Sequence, residues 1–201
     1  MQDRLRRTIG LLIVAMLAIP TGVGASMEWT DGLLDDCSAT GLQASIGTSW
    51  EAVLDNDRGG RSSIEIESGE GTIRASGKLA RGSLFGGPGT AGIMLPLATD
   101  GGEYDINQWD GIRVTVRRSG ASMLLRIHGM EIENGDHFAV DIPASTEFAT
   151  YEFPFSRMGQ VMSPQMPWRG DRVTAVELIC WSFPADSFSF ELDSIEFYRS
   201  E

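Results

Sequence analysis

The sequence has few of the residues from which most active sites and metal centres are built. Only two histidines, His128 and His137, and two cysteines occur in 201 residues. No zinc-protease HExxH pattern, nucleophile-elbow GxSxG pattern, CxxC pair or phosphate-binding glycine loop is present. The sequence therefore predicts that the chain is not an enzyme and that it acts by binding.

Basic residues are also few compared with acidic ones. The chain has 16 Lys and Arg against 28 Asp and Glu, a formal net charge of −12. Nucleic acids and anionic lipids are bound by basic surfaces. The charge therefore argues against nucleic acid as a partner and favours a protein partner or a neutral glycan. The acidity is equally explained as a means of keeping an exported protein soluble.

Long apolar runs are absent apart from one near the start, and that one is too short to cross a membrane. It covers residues 9–19, whereas a spanning helix needs about 20 apolar residues. Three arginines precede it, and the small residues Val23 and Ala25 follow it. This order predicts a signal peptide over residues 1–25, with cleavage after Ala25. The alternative is an uncleaved anchor.

We therefore expect export to the periplasm or the cell exterior, and a mature chain that does not span a membrane. A flexible lead-in over residues 26–32 and a single domain over residues 33–199 are expected to follow the leader. One domain suits this length, because all-β sandwiches of this size often form single units.

Beyond residue 32 the dominant pattern is alternation of apolar and polar residues, which is typical of half-buried β-strands. It is clearest at Gly111–Arg118, Ser122–His128, Val173–Phe183 and Phe188–Tyr198. About ten such segments, separated by Gly, Asp, Asn and Pro, predict an all-β sandwich. The three residues Ser119–Ala121 predict a hairpin between two of these strands.

Six short motifs occur in the order typical of one known family. They are Leu33–Asp36, Trp50, Asp55–Ser62 with its Asp-to-Gly-Gly-x-Ser pattern, Trp109–Ile112, Tyr151–Phe155 and Phe190–Ile195. Together they resemble the complex I intermediate-associated protein 30 family. The resemblance implies a jelly-roll β-sandwich of the galactose-binding domain-like type, without catalysis.

The family's best-known members assist the assembly of respiratory complex I (NADH:ubiquinone oxidoreductase). The resemblance therefore implies a binding or assembly module that acts through protein contact. The opening and closing strands are also similar to those of jelly-roll carbohydrate-binding modules such as family 11. A carbohydrate-binding module that uses the concave sheet face is accordingly the alternative.

The candidate ligand-binding residues are polar and aromatic side chains of the later strands and of the loop between residues 158 and 172. Arg126 and His128 alternate onto one strand face, and Glu177 shares a face with Trp181. An aromatic ring beside a carboxylate is typical of sugar sites, and Trp168 is expected to be exposed in the loop. The alternative is that these polar residues are solvated and that most tryptophans pack in the core.

Two further sites involve acidic residues and cysteines. Asp35, Asp36 and Asp193 belong to the first and last strands, which relatives place side by side, and their oxygens suit a structural calcium ion. The alternative is that they end a strand and cap a turn. Cys37 and Cys180 either form a disulfide in an oxidising compartment or remain separate buried thiols.

Overall fold

The computed structural model describes residues 31–80, 87–130, 132, 135–160 and 166–200. The predicted signal peptide and residues 26–30 of the predicted lead-in lie outside these ranges. Eleven strands account for most of the described chain. They are β1 (Leu33–Asp35), β2 (Glu51–Leu54), β3 (Ser63–Gly69), β4 (Thr72–Leu79), β5 (Gly89–Pro96), β6 (Gly111–Gly120), β7 (Ser122–Gly129), β8 (Phe138–Ile142), β9 (Ser145–Pro154), β10 (Val173–Ser182) and β11 (Asp186–Tyr198).

The strands form two antiparallel sheets. The six-stranded sheet has the order β3-β4-β11-β6-β9, and β1 pairs with the C-terminal part of β11. The five-stranded sheet has the order β2-β5-β10-β7-β8. The prediction of an all-β jelly-roll sandwich is confirmed. No helix among the described residues is long and apolar enough to cross a membrane.

The core lies between the sheets and is formed by the inward-facing residues of the strands, which are fully buried in most strands and at most half-buried in β2, β3 and β9. In β11 these are Phe188, Phe190 and Leu192, as the alternation predicted. Trp50 and Trp109 are also buried in this core, as expected for the two tryptophans within the family motifs. The faces that point away from the core carry the remaining polar side chains, and it is there that a ligand has access.

The predicted hairpin at Ser119–Ala121 is wrong. β6 pairs with β9 and β11, whereas β7 pairs with β8 and β10 in the other sheet. Gly120 has a φ of 81°, and a Cβ there would lie 2.2 Å from the carbonyl oxygen of Ser187. The backbone therefore turns tightly at a glycine and crosses from one sheet to the other. Alternation indicates which face a residue occupies, but it does not indicate which strand is the neighbour.

Candidate functional site

The outer face of the five-stranded sheet brings together residues from two of its three inner strands, β7 and β10. Antiparallel pairing places Glu177 opposite Arg126, Ile179 opposite Leu124, and Trp181 opposite Ser122. Since successive side chains alternate between the faces of a strand, one row of each strand points away from the core. We call this surface the β7–β10 face; it comprises Leu124, Arg126, His128, Glu177, Ile179 and Trp181.

Glu177 is the centre of the polar half of the β7–β10 face. Its side chain is only 4% exposed, and one carboxylate oxygen, Oε2, lies 3.0 Å from His128 Nε2 and 3.4 Å from Arg126 Nη1. Burial alone would raise the pKa of Glu177, but the hydrogen bond from His128 and the charges of His128 and Arg126 outweigh it. The pKa is therefore lowered, and Glu177 is a carboxylate at neutral pH.

A second histidine extends this cluster. The rings of His128 and His137 stack with their centroids 3.8 Å apart and an angle of 18° between their planes. Burial and the nearby charge of His128 lower the pKa of His137 to about 4. His137 is therefore neutral near pH 7, and its Nδ1 is buried without a hydrogen-bond partner among the described residues.

The other half of the β7–β10 face is apolar. Leu124, Ile179 and Ala139 form a buried cluster that is separate from the main core, and Val53 and Trp181 pack against it. The indole Nε1 of Trp181 is buried and has no partner among the described residues. This arrangement places an arginine, two imidazoles and an indole beside aliphatic side chains, which suits binding by both hydrogen bonds and apolar contact.

Four of the five predicted ligand-binding residues thus lie on one surface: Arg126, His128, Glu177 and Trp181. Trp168 lies elsewhere and is not the exposed loop residue that we expected. Its ring stacks on Phe155 at 4.5 Å between centroids and meets Phe138 edge-on at 5.0 Å. Both phenylalanines belong to the main core, so Trp168 covers the core.

Sequence reasoning missed the apolar half of the face. Leu124 and Ile179 alternate correctly with the polar residues of β7 and β10, so the signal was present in each strand. The missing information was that the two strands are neighbours, because they are distant in the sequence: Arg126 and Glu177, which pair across them, are 51 positions apart.

The three aspartates proposed for calcium have different surroundings. Asp193 is half-buried on β11 and accepts a hydrogen bond from the Ser194 hydroxyl. Asp35 is fully buried, and its carboxylate accepts hydrogen bonds from the backbone N–H groups of Cys37 and Ser45 and from Trp50 Nε1. Asp36 is exposed and accepts from Ser38 and Ser45. No group of three or more His, Cys, Asp or Glu side chains within the described ranges is arranged to hold a metal ion. The calcium site stays a prediction.

Both cysteines are buried free thiols in this structure. Burial and the neighbouring Asp35 raise the pKa of Cys37 well above its usual range. Burial raises the pKa of Cys180 to about 12. Neither thiol ionises near neutral pH, so neither is a reactive nucleophile.

The Asp-to-Gly-Gly-x-Ser motif has a clear structural basis. The buried carboxylate of Asp55 accepts hydrogen bonds from the backbone N–H and hydroxyl of Ser62 and from the backbone N–H of Thr90. Gly60 passes so close that a Cβ there would lie 1.9 Å from Asp55 Cγ. Gly59 adopts the left-handed conformation, with φ 76°. The motif therefore ties the segment after β2 to the start of β5.

We expect stability to fall on acidification through His137. Its pKa is about 4 in the folded protein, against about 6.5 when unfolded. Between these values the unfolded chain binds the proton and the native chain does not. The contribution of the neutral His137 to the free energy of unfolding is therefore fully present above pH 6.5 and decreases as the pH falls toward 4. From pH 7 to pH 5 the loss is on the order of 2 kcal/mol.

Urea unfolding at pH 7 and pH 5 measures this loss, and the His137→Gln variant is the control. The window lies above the lowered pKa of Glu177, so that carboxylate contributes little to the change. The variant should lose most of the difference between the two pH values. An equal pH dependence in both proteins would show that other groups are responsible.

These features define a class: a two-sheet β-sandwich with a mixed polar and apolar patch on one outer sheet face. A scan of family models matches residues 42–192 to the complex I intermediate-associated protein 30 family. The match covers most of the chain, so the chain belongs to this family. A search of curated proteins found no relative.

Solved structures with the same fold include two carbohydrate-binding modules of Clostridium thermocellum. A family 11 module in complex with a β-1,3-1,4-mixed-linked tetrasaccharide is 19% identical, with a TM-score of 0.62, over 84% of this chain and 95% of the module. The family 11 module of a cellulosomal cellulase is 18% identical, with a TM-score of 0.59, over 84% of this chain and 94% of the module. At such identities the similarity establishes the fold alone.

Proposed function

We propose that this chain is an exported, non-catalytic binding module that acts through protein contact at the β7–β10 face. The observation that carries the proposal is the desolvated Arg126–His128–Glu177 cluster beside the apolar Leu124, Ile179 and Trp181. Tryptophan and arginine dominate the binding energy of protein interfaces, particularly where the surrounding residues exclude water. The family description, which refers to association with a complex I intermediate, agrees with protein contact.

An aliphatic side chain beside Trp181 favours protein contact over sugar binding. Leu124 and Ile179 are themselves only 8% and 1% exposed, and the half-buried Val53 and Trp181, which pack against them, form the accessible apolar part. Aliphatic groups pack well against protein side chains, whereas a pyranose is usually held by stacking on aromatic rings. The net charge of −12 further favours a partner with a basic surface.

Site-specific photo-crosslinking in the native cells tests this proposal. A benzophenone amino acid at Asp141, which is exposed and pairs in register with Leu124, should crosslink to a protein partner. The matched control is Glu65, an exposed residue on β3 of the other sheet. In the protein that carries the crosslinker at Asp141, Arg126→Ala should reduce the yield of the crosslinked product about tenfold or more. This is the effect expected of an interface hot spot. Equal crosslinking from both positions, or from neither, would contradict the proposal.

Carbohydrate binding is the second candidate, and the observation that favours it is the position of Trp181 on the same strand face as Glu177. Trp181 is half-buried, so part of its ring remains available for stacking on a sugar. Affinity electrophoresis in mixed-linkage β-glucan, the polymer class of the tetrasaccharide held by the family 11 module, tests this candidate. Retardation that disappears in Trp181→Ala would favour it over protein contact.

We propose export because residues 1–25 have the features of a signal peptide. The arginines before the apolar run and the small residues up to Ala25 support cleavage at that point. The processed protein should therefore begin at Ser26 in N-terminal sequencing. Recovery of the full-length chain alone would overturn the predicted cleavage.

A further inference from the structure

A second charged surface lies on the outer face of the six-stranded sheet, remote in topology from the β7–β10 face. Glu191 of β11 is paired in register with Arg74 of β4 on one side and with Arg117 of β6 on the other. Both guanidiniums donate through Nε and Nη2 to the same carboxylate oxygen, at 2.8 to 3.2 Å. Two arginines therefore share one acid, and Glu67 of β3, in register with Arg74, lies 3.8 Å from Arg74 Nη1, so the row as a whole is formally neutral.

Another row on the same face of the sheet, two rows away, carries a net negative charge. Arg113, four residues before Arg117 on β6, lies between Glu196 of β11 and Glu152 of β9 and is bonded to both. In this row a single arginine pairs with two acids. The two rows thus resemble each other in geometry and differ in charge, which makes Arg113 a matched control for Arg117.

The row of Arg74 and Arg117 opens into a surface groove. It is lined by three arginines, Arg74, Arg117 and Arg118, against one glutamate, Glu191, a formal charge of +2. The hydroxyl residues Ser119, Thr146 and Ser189 also line it. The side chains of Arg74 and Arg117 are 52% and 39% exposed, so solvent reaches them despite their contact with Glu191.

Two further contacts shape the groove. Glu67 approaches Arg74 Nη1 at 3.8 Å from an exposed position, and Arg118 is held by the carbonyl oxygens of Ile142 and Ala121. Nη1 of Arg117 has no partner among the described residues, and the Arg117 guanidinium lies 4.7 Å from the ring centroid of the exposed Phe148. Donors and an aromatic ring therefore lie side by side at the groove.

We propose that this groove binds one oxyanion, a carboxylate or a sulfate group, held by Arg74 and Arg117. Guanidinium groups bind carboxylates, which are planar, and tetrahedral oxyanions such as phosphate through paired, charge-assisted hydrogen bonds. The three hydroxyl residues supply further donors, and Phe148 favours an anion carried on a ring. The site is independent of the proposed protein contact, because it lies on the other sheet.

Nitrogen-15 NMR titration of the unmodified protein tests this site, with the arginine Nε–H signals as reporters. Inorganic sulfate probes the anion alone, glucuronate probes a carboxylate on a sugar ring, and glucose is the neutral control. At about 0.15 M ionic strength the Debye length is about 8 Å, so the distant acidic residues are largely screened. Saturable shifts at Arg74 and Arg117 but not at Arg113, with sulfate or glucuronate but not glucose, are expected.

Sulfate and glucuronate results identify the source of the anion. Binding of both supports a general oxyanion site, and binding of glucuronate alone supports an acidic sugar. No saturable shift with either anion would overturn the proposal, as would equal shifts at Arg113.

Two variants provide an independent check. Thr146→Glu places a carboxylate at the groove from an exposed position and leaves Arg74, Arg117 and Glu191 intact. It should weaken anion binding about tenfold or more, because the new carboxylate either pairs with the arginines or repels the incoming anion. Arg117→Gln should weaken binding similarly, whereas Arg113→Gln should leave it within about twofold. Unchanged binding in a folded Thr146→Glu protein would contradict the location of the site.

Discussion

Replacing Asp35 by alanine should lower the free energy of unfolding by about 4 kcal/mol, near the upper end for a single substitution. The carboxylate is completely buried and is the acceptor for two backbone N–H groups and the indole N–H of Trp50, the last at 2.7 Å. A buried donor left without a partner costs roughly 1–3 kcal/mol. One of these bonds also holds Cys37, whose φ is 53°, a conformation disfavoured for a non-glycine residue.

Asp36→Ala is the matched control for this prediction. Asp36 is the next residue, and it carries the same charge but is exposed. Its loss should change stability by only about 0.5–1 kcal/mol. Denaturant unfolding in calcium and in chelator measures both variants. If the loss in Asp35→Ala occurred only with calcium present, Asp35 would be acting as a metal ligand. Equal losses in the two variants would contradict its role as a buried acceptor.

Replacing Gly60 by alanine should cost about 3 kcal/mol, the second largest effect that we expect. The added Cβ would lie 1.9 Å from Asp55 Cγ and 2.1 Å from Oδ1. Asp55 would have to move, and the N–H groups of Ser62 and Thr90 would lose their acceptor. For a chain of this size, such a loss lowers the melting temperature by about 6–12 °C.

Gly69→Ala is the control, because a Cβ at Gly69 meets nothing within 4 Å. Its melting temperature should change little. A double-mutant cycle with Asp55→Ala then tests the cause. If the alanine at position 60 acts by displacing Asp55, the double variant should lose little more than either single variant. Fully additive losses would show that Gly60 is required for another reason.

The two outer faces have different chemistry, and this affects how the chain is expected to bind. On the β7–β10 face the negative charge of Glu177 is offset by the positive charge of Arg126, and both charges lie beside aliphatic side chains. On the six-stranded sheet the charged rows are more exposed, and one has two arginines with two acids whereas the other has one arginine between two acids. A partner that excludes water suits the first surface, whereas a small charged group suits the second.

The sequence by itself determined the strands and the face that each residue occupies. Side chains alternate along a strand, so the pattern of Val173–Ser182 alone places Glu177 and Trp181 on one side and Leu178 and Cys180 on the other. The same local rule placed Arg126 with His128. The family motifs added the order of the strands and the jelly-roll architecture.

The tertiary structure alone decided which strands are neighbours and what each polar group contacts. β10 meets β7 across 51 residues at the Arg126–Glu177 pair, whereas β6 and β7 are consecutive but lie in different sheets. It also placed Trp168 over the core and made Asp35 a buried hydrogen-bond acceptor. Alternation is a property of a few adjacent residues, but strand pairing depends on the packing of the whole sandwich. Strand pairing therefore cannot be predicted from a local sequence pattern.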